Sequence, residues 1–279
     1  MSRSDRLWHW LGTFVRQAIV IVATIVSLFP VYFMVVSAFK TRSEYIANKW
    51  GLPVAPILEN FVTAFAGEKF LIRFANSIIL TVGSVSVSLI IACLAAYAFA
   101  RMEFPGKRAI FNVLLSLMVV PPVVMLVPLF VSMVRLRLVN TYPGTTLIYV
   151  GLLLPFSVYL MTNFFRTVPR EIVEAARIDG ASSLGVFWRI MMPLSAPAVI
   201  TLIVVNALWV WNELLIALVF MQKDELKTLM VGIAALRSKH YVDIPVTMAG
   251  LFIATLPIVV LYVFGQKYFI RGLVSGAVK

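Results

Sequence analysis

Charged residues are scarce in this chain of 279 residues. They make up 13% of the sequence, whereas a typical soluble domain carries about 25%. Hydrophobic residues make up 61%, and the mean hydropathy is +0.97. So little charge excludes an ordinary soluble protein. The composition therefore indicates a membrane protein.

Residues that hold metals, form disulfides or bind nucleotides are also few. The single cysteine, Cys93, lies in an apolar run, which excludes a disulfide framework and a cysteine-based metal site. His9 and His240 lie in predicted loops without metal-ligand spacing. The phosphate loop G-x-x-x-x-G-K-[ST] does not occur in the sequence. We therefore predict no metal site, no catalytic residue and no cofactor in this chain.

Long runs without Asp, Glu, Lys or Arg are what the sequence does contain. A bilayer-spanning helix needs roughly 20 predominantly apolar residues, and six runs are long enough: 17–39, 74–100, 109–134, 138–165, 190–212 and 244–266. They predict an all-α membrane protein with six spans, the fifth over about 196–220 and the sixth over about 246–266. We expect one membrane domain over 1–279, with its core at about 74–266.

Positive charge is distributed over all the loops. The net charge is +12, but it forms no basic face, so nucleic acid is not an expected partner. With six spans, both termini lie on one side of the membrane, and that side receives thirteen of the 24 Lys and Arg residues. The positive-inside rule thus favours cytoplasmic termini by a small margin.

The connection between the fourth and fifth spans, 166–195, contains the segment EAARIDGASSLGVFWRIMMP. Pro169 suits the start of a helix, which predicts a short helix over about 170–178. Gly180 is the expected left-handed residue that ends it. Ser182 or Ser183 can cap a second short helix, which Pro193 is expected to bound.

The second short helix carries one apolar stripe. Its members recur at helical spacing: Leu184, Phe187, Trp188 and Met191. A stripe of this length cannot span a bilayer, so it lies on the membrane surface or on another protein. A lipid-bound helix is rich in Lys and Arg, whereas this one has only Arg189, which favours a protein partner.

The segment resembles the EAA loop of the permease subunits of ABC importers. The matching pattern is Glu174-Ala175-Ala176, three residues, Gly180, nine residues, Ile190, two residues and Pro193. Met192 stands where that family usually has Leu, a volume-conserving exchange. The stretches 76–108, 211–218 and 272–279 resemble the carbohydrate-uptake branch, namely its maltose-type and glycerol-3-phosphate-type second permeases.

This resemblance implies a set of partners and a location. The expected partners are a related second permease, an extracytoplasmic solute-binding protein and two ATP-hydrolysing subunits, which hold the ATP and Mg²⁺. The expected location is the bacterial or archaeal cytoplasmic membrane, with both termini cytoplasmic.

The resemblance also assigns roles within the EAA loop, which contacts the ATPase. Glu174 is expected to pair with a basic residue, Gly180 to allow the bend, and Phe187 with Trp188 to fill the partner's cleft. The other expected coupling residues are Ala175, Ala176, Asp179, Leu184, Ile190 and Pro193.

The predicted fifth helix carries polar and aromatic residues that could face a substrate path or a gate. These are Asn206, Trp209, Trp211, Asn212 and Glu213. Sugar sites combine aromatic faces with amide and carboxylate groups, but Trp is also enriched at membrane interfaces. Sugar contact, a gate and an interface position all stay open. The loop 221–245 is expected to form a short helix near the outer mouth and to touch the binding protein.

Two other functions fit parts of the sequence. An ion-coupled secondary transporter would use Glu213 and would work alone. An ABC permease could instead carry glycerol 3-phosphate, peptides or polyamines. A phosphate ester requires a cation in the membrane, and none lies within the six charge-free runs, which favours a neutral sugar.

Overall fold

The computed structural model describes residues 3–66, 69–236 and 243–277, and the regular structure within these ranges is helical, without strands. The α-helices are α1 (Arg3–Ala38), α2 (Arg42–Ala47), α3 (Glu59–Ala66), α4 (Phe70–Arg101), α5 (Lys107–Ser116), α6 (Pro122–Arg135), α7 (Tyr142–Thr167), α8 (Arg170–Ile178), α9 (Ser183–Val186), α10 (Met192–Leu194), α11 (Ala196–Asn212), α12 (Leu215–Phe220), α13 (Leu229–Leu236) and α14 (Ile244–Ala277). The predicted all-α class is confirmed.

Four helical stretches are long and apolar enough to cross a membrane: Gly12–Ala38, Phe70–Arg101, Tyr142–Thr167 and Ile244–Gln266. Two bent pairs each supply a further candidate span. Lys107–Val119 meets Pro122–Arg135 at 105°, and Ser183–Leu194 meets Ala196–Asn212 at 77°. The described residues therefore hold six candidate spans if each bent pair is counted once, as the charge-free runs predicted.

The third predicted span is not a continuous helix, which corrects the expectation from run 109–134. After α5 a 3₁₀ turn covers Leu117–Val119, and the chain is extended at Val120 and Pro121 before α6 begins. Proline lacks the N–H of a helical hydrogen bond and excludes the helical conformation from the residue before it. The pair Pro121-Pro122 therefore breaks the run.

The fifth predicted helix, 196–220, is also interrupted. Helix α11 ends at Asn212, Glu213 is extended, and α12 begins at Leu215. The Glu213 carboxylate accepts hydrogen bonds from the N–H groups of Ile216 and Ala217 at 2.9 to 3.1 Å. An acidic side chain that caps a new helix favours a restart at this position over a continuous helix.

The chain divides into two compact units. The first comprises 1–68 and 233–255, and the second comprises 69–232 and 256–279. The single domain expected over 1–279 remains a prediction.

In the first unit, the loop after α1 is folded around the buried side chain of Lys40. The Lys40 ammonium donates to the carbonyl of Asn48 at 2.6 Å, and the Asn60 amide donates to the carbonyls of Ala38 and Lys40. Trp50 packs on Phe33 with ring centroids 5.3 Å apart. The connection after α1 is therefore an ordered structure.

In the second unit, α4 and α7 form the central helix pair. Small side chains allow helices to approach closely, and Ser84, Ser88 and Ser157 are all buried in these two helices. The ends of α4 and α7 pack in a core cluster with Val173, Phe187 and Met191 of the segment 166–195. This cluster positions the segment that the sequence singled out.

Candidate coupling segment and transport path

Helix α8 begins and ends where the sequence predicted. It covers Arg170–Ile178, directly after Pro169. Gly180 has φ +83°. The N–H of Ala181 donates to the carbonyl of Ala176, and the N–H of Gly180 to that of Arg177. This pair of bonds is a Schellman cap, which needs a left-handed residue at the glycine.

The second part of the segment begins as predicted but ends differently. Ser182 caps α9, its hydroxyl accepting the N–H of Gly185 at 3.2 Å. Pro193 does not bound the helix, because the chain stays helical to Leu194 and turns at the buried Ser195. Pro193 instead lies inside the last turn of this helical stretch, shortly after the π-helical turn Phe187–Met191, where its missing N–H removes a helical hydrogen bond.

The predicted apolar stripe is divided between two faces. A π-helical turn covers Phe187–Met191, and its wider turn rotates the side chains away from the 3.6-residue period. Phe187 is buried in this chain's own core, with its ring centroid 5.4 Å from that of Tyr97 and 6.4 Å from that of Phe165. The expectation that Phe187 fills a partner's cleft is therefore wrong.

The most exposed apolar side chains of the segment belong to three residues. Ile178 is 86% exposed, Leu184 63% and Trp188 56%. The Trp188 ring packs edge-on against Phe187 with centroids 4.9 Å apart. The exposed indole is thus attached to the buried core by its neighbour in sequence. We call Ile178, Leu184 and Trp188 the coupling face.

The remaining predicted coupling residues are mostly exposed. Among the described residues, the structure records no ion pair for Glu174, so the expected partner of this carboxylate is not seen. Glu174 lines a small cavity of about 160 Å³ with Arg101, Arg170 and Arg177. Three of the others are exposed, namely Ala175, Asp179 and Pro193. The other two are half-buried, namely Ala176 and Ile190.

Arg101, the last residue of α4, holds this region together. Its guanidinium Nη2 donates to the carbonyl of Phe165 at 2.6 Å and to that of Val168. The end of α4 is thereby tied to the end of α7, next to the start of α8. In the sequence, Arg101 directly follows the charge-free run 74–100, and this position is the one available signal of its role, because basic residues commonly bind helix C-terminal carbonyls.

Two residues of the predicted transport path line one cavity. The cavity has a volume of about 450 Å³ and mostly apolar walls from α6, α7 and α11, including Asn206 and Trp209. Trp209 contacts Tyr149 edge-to-face with centroids 5.9 Å apart. The buried Asn206 amide donates to the Ser157 hydroxyl at 2.9 Å, which holds α11 against α7.

The other three predicted residues do not line this cavity. Trp211 is buried, with its ring 5.6 Å from Phe74. The exposed Asn212 amide donates to the carbonyl of Leu208 in its own helix at 2.8 Å. Glu213 accepts the Tyr149 hydroxyl at 2.9 Å besides capping α12. Each of these side chains has a structural contact, whichever transport role it has.

The segment 222–229 is attached to α4 and α7 at one end of the second unit. The buried Asn76 amide donates to the carbonyls of Glu225 and Lys227 at 2.8 and 3.0 Å, and its oxygen accepts the Tyr142 hydroxyl at 2.6 Å. The Ser77 hydroxyl accepts the N–H of Leu229 at 2.9 Å. We call this set the Asn76 latch.

Ion pairs surround the Asn76 latch. Lys69 donates to Glu225 at 2.9 Å and Lys227 to Asp224 at 2.5 Å, and these hydrogen bonds lower the pKa of each carboxyl below its ordinary value. The short helix expected within 221–245 is present as α13. Arg237 and His240 in the same loop lie outside the described residues.

Comparison with known proteins gives consistent matches over most of the chain. The family model "Binding-protein-dependent transport system inner membrane component" matches residues 88–274. The chain is 36% identical to the melibiose/raffinose/stachyose import permease protein MelC of Bacillus subtilis, over 90% of this chain and 91% of that one. It is 31% identical to the arabinooligosaccharides transport system permease protein AraQ of Halalkalibacterium halodurans, over 91% and 92%.

A solved structure has the same fold over nearly the whole length. It is a bacterial ABC transporter involved in the import of the acidic polysaccharide alginate, with 26% identity, a TM-score of 0.82, and coverage of 96% of this chain and 99% of that one. No group of acidic, His or Cys residues that could hold a metal occurs in the described ranges. The chain belongs to the inner-membrane components of binding-protein-dependent transport systems, and it is a permease subunit of an ABC importer rather than an enzyme.

Proposed function

We propose that the chain forms, with a second permease, the membrane path for a mono- or oligosaccharide. A solute-binding protein delivers the sugar, and two separate subunits supply the energy from ATP and Mg²⁺. The proposal is supported by relatives that are named for melibiose, raffinose and stachyose import and for arabinooligosaccharide transport. The absence of Lys and Arg from the six charge-free runs favours a neutral sugar over glycerol 3-phosphate.

The coupling face is the observation that carries the proposal. Leu184 and Trp188 are exposed on a turn whose other side, at Phe187 and Met191, is buried in the core of α4 and α7. Burying one such aromatic side chain in a partner contributes on the order of 1.5 to 3 kcal/mol. A partner that binds the coupling face thus gains affinity and a rigid attachment to the spans.

Force applied at the coupling face reaches the membrane through short connections. Closure of the ATPase dimer pushes α8–α10, and the core cluster with Arg101 passes the displacement to α4 and α7. The helices then rock between outward-open and inward-open states. In this scheme Asn206 and Trp209 line part of the path, while Trp211, Asn212 and Glu213 stabilise the outer end of α11.

This mechanism requires the coupling face and both termini in the cytoplasm. The segment 222–229 then lies on the outer side, where the solute-binding protein arrives. The carboxylates of Asp224 and Glu225 are exposed there, and the Asn76 latch holds their backbone in place.

Reconstitution distinguishes the proposal from its alternatives. Proteoliposomes that contain the chain, the second permease and the ATPase subunits are expected to transport sugar under two conditions together. ATP must be present on the side of the membrane that carries the ATPase subunits, and the binding protein must be present on the other side. Uptake by the chain alone under a proton or sodium gradient would instead establish an ion-coupled transporter. Preferential uptake of glycerol 3-phosphate would show that the proposed substrate is wrong while the proposed ATP-driven transport system is right.

A further inference from the structure

A second polar cavity lies beside the coupling segment, at the connection between α4 and α5. Its volume is about 710 Å³, and its lining includes Lys107, Arg108, Arg166 and three phenylalanines. Arg108 directly precedes the charge-free run 109–134, and Arg166 directly follows the run 138–165. Both arginines therefore stand where the hydrocarbon of a bilayer ends and the headgroups begin.

The charges of this cavity leave two cations available. Lys107 donates to the Glu103 carboxylate at 3.0 Å and to the carbonyl of Met102 at 2.7 Å. The hydrogen bond between Lys107 and Glu103 lowers the pKa of the Glu103 carboxyl. Lys107 and Glu103 thus form an ion pair, and Arg108 lies beyond ion-pair distance of the same carboxylate, where its charge contributes less to the lowered pKa. Within the described ranges, no carboxylate lies within ion-pair distance of Arg108 or Arg166.

The cavity also has an aromatic wall. The ring of Phe99 lies 5.8 Å from that of Phe104 and 5.2 Å from that of Phe111, measured between centroids. The Arg166 guanidinium lies 5.5 Å from the centroid of Phe111. A guanidinium held by a cation–π contact keeps its in-plane N–H groups for an anion.

An exposed apolar strip continues from the cavity along α5. The side chain of Ile110 lies beside Gly106, a lining residue. Ile110 is followed at helical spacing by Val113 and Leu117, and all three are exposed. Two cations at headgroup level next to an apolar strip match an amphiphile with an anionic head, whereas a free anion would leave the strip unused.

We infer that this cavity binds an anionic phospholipid, with the phosphate at Arg108 and Arg166 and an acyl chain along Ile110, Val113 and Leu117. Arginine forms bidentate, charge-assisted hydrogen bonds with phosphate, and basic pockets at the ends of spans bind anionic headgroups. The lipid would occupy the connection next to Arg101. The inference requires the chain to be in a membrane but not the proposed ATPase coupling, so the two can fail separately.

The test is native mass spectrometry of the chain purified in mild detergent with whatever subunits accompany it. The probes are short-chain phosphatidylglycerol, short-chain phosphatidylcholine and inorganic phosphate. Wild type is expected to prefer phosphatidylglycerol over the other two. Arg108→Gln and Arg166→Gln should each weaken its binding about fivefold, and the double variant about twentyfold.

Arg135→Gln is the matched control, because Arg135 is exposed at the opposite end of the same charge-free run. It is expected to leave phosphatidylglycerol binding unchanged. An equal loss of phosphatidylglycerol binding in this control would show that the lipid responds to general surface charge, and it would refute the proposed site. Inorganic phosphate binding as tightly as the lipid would make it a phosphate site. If the double variant does not accumulate, equal binding of both lipids by wild type still refutes the inference.

Discussion

At the scale of single residues, Phe187 and Trp188 are adjacent in sequence and opposite in environment. The phenylalanine is buried between Tyr97 and Phe165, whereas the indole is 56% exposed. Removing each ring therefore has a different consequence. Substitutions at the two positions therefore test two properties separately: the stability of the chain at Phe187 and its coupling to a partner at Trp188.

Phe187→Ala is expected to destabilise the folded chain by about 3 to 5 kcal/mol, the usual cost of a cavity left by a buried ring. Trp188→Ala is expected to leave the melting temperature nearly unchanged but to lower substrate-stimulated ATP hydrolysis about tenfold, through loss of partner contact. Differential scanning fluorimetry and an ATPase assay of the assembled transporter measure the two effects. Full stimulated hydrolysis by Trp188→Ala would rule out the coupling face.

Gly180 is required for its backbone conformation and not for space. A Cβ at this position meets nothing within 4 Å, but φ is +83°. Gly180→Ala is therefore expected to cost about 1 to 2 kcal/mol of stability through left-handed strain. Gly12→Ala is the matched control, since its Cβ also has open space within a helix, α1, where alanine is favoured. Equal melting temperatures for the two variants would contradict the strain argument.

At the scale of elements, the Asn76 latch joins a loop to two spans through one side chain. The Asn76 amide satisfies two loop carbonyls and one tyrosine hydroxyl while 3% exposed. Each of the two hydrogen bonds to the loop carbonyls contributes about 0.5 to 1.5 kcal/mol, so losing both costs about 1 to 3 kcal/mol. The latch therefore controls how firmly the segment 222–229 is held.

Asn76→Ala is expected to release this segment while the helices persist. Hydrogen exchange at the amides of 222–229 should accelerate by about tenfold or more, as expected for a loss of 1 to 3 kcal/mol. Exchange within α7 should not change. Asn212→Ala is the control, because that exposed amide, among the residues that the structure describes, donates to a carbonyl of its own helix. Unchanged protection in Asn76→Ala would show that the ion pairs of Lys69 and Lys227 suffice.

At the scale of the whole molecule, the open question is which end of the second unit faces the cytoplasm. The charge count alone separates the sides by thirteen to eleven. The single cysteine, Cys93, is buried, so a Cys93→Ser background suits labelling of introduced cysteines. Such labelling decides the orientation without any partner subunit.

We expect a membrane-impermeant maleimide to label Glu225→Cys in intact cells. Asp179→Cys should react only after the cells are permeabilised, because the proposed coupling segment is cytoplasmic. Both native side chains are exposed, so accessibility in the fold does not differ between them. The reverse pattern would invert the topology and exclude docking of a cytoplasmic ATPase on the coupling face.

Features with a local cause were predictable from the sequence. The bounds of α8, the left-handed Gly180 and the Ser182 cap follow from proline, glycine and serine chemistry over a few residues. The number of candidate spans follows from the absence of charge over 23 to 28 residues. The family follows from the EAA pattern at fixed spacing.

Features that depend on distant contacts were not predictable. The predicted stripe assumed 3.6 residues per turn, but a π turn, packed against Tyr97 and Phe165, places Phe187 and Met191 inside. The hydrogen bonds of Arg101 and Asn76 likewise join residues more than 60 positions apart. The sequence by itself therefore determined the class, the spans and the coupling segment, because hydropathy and helix caps act locally. Only the tertiary structure decided which side chains face a partner, because burial depends on the elements that pack together.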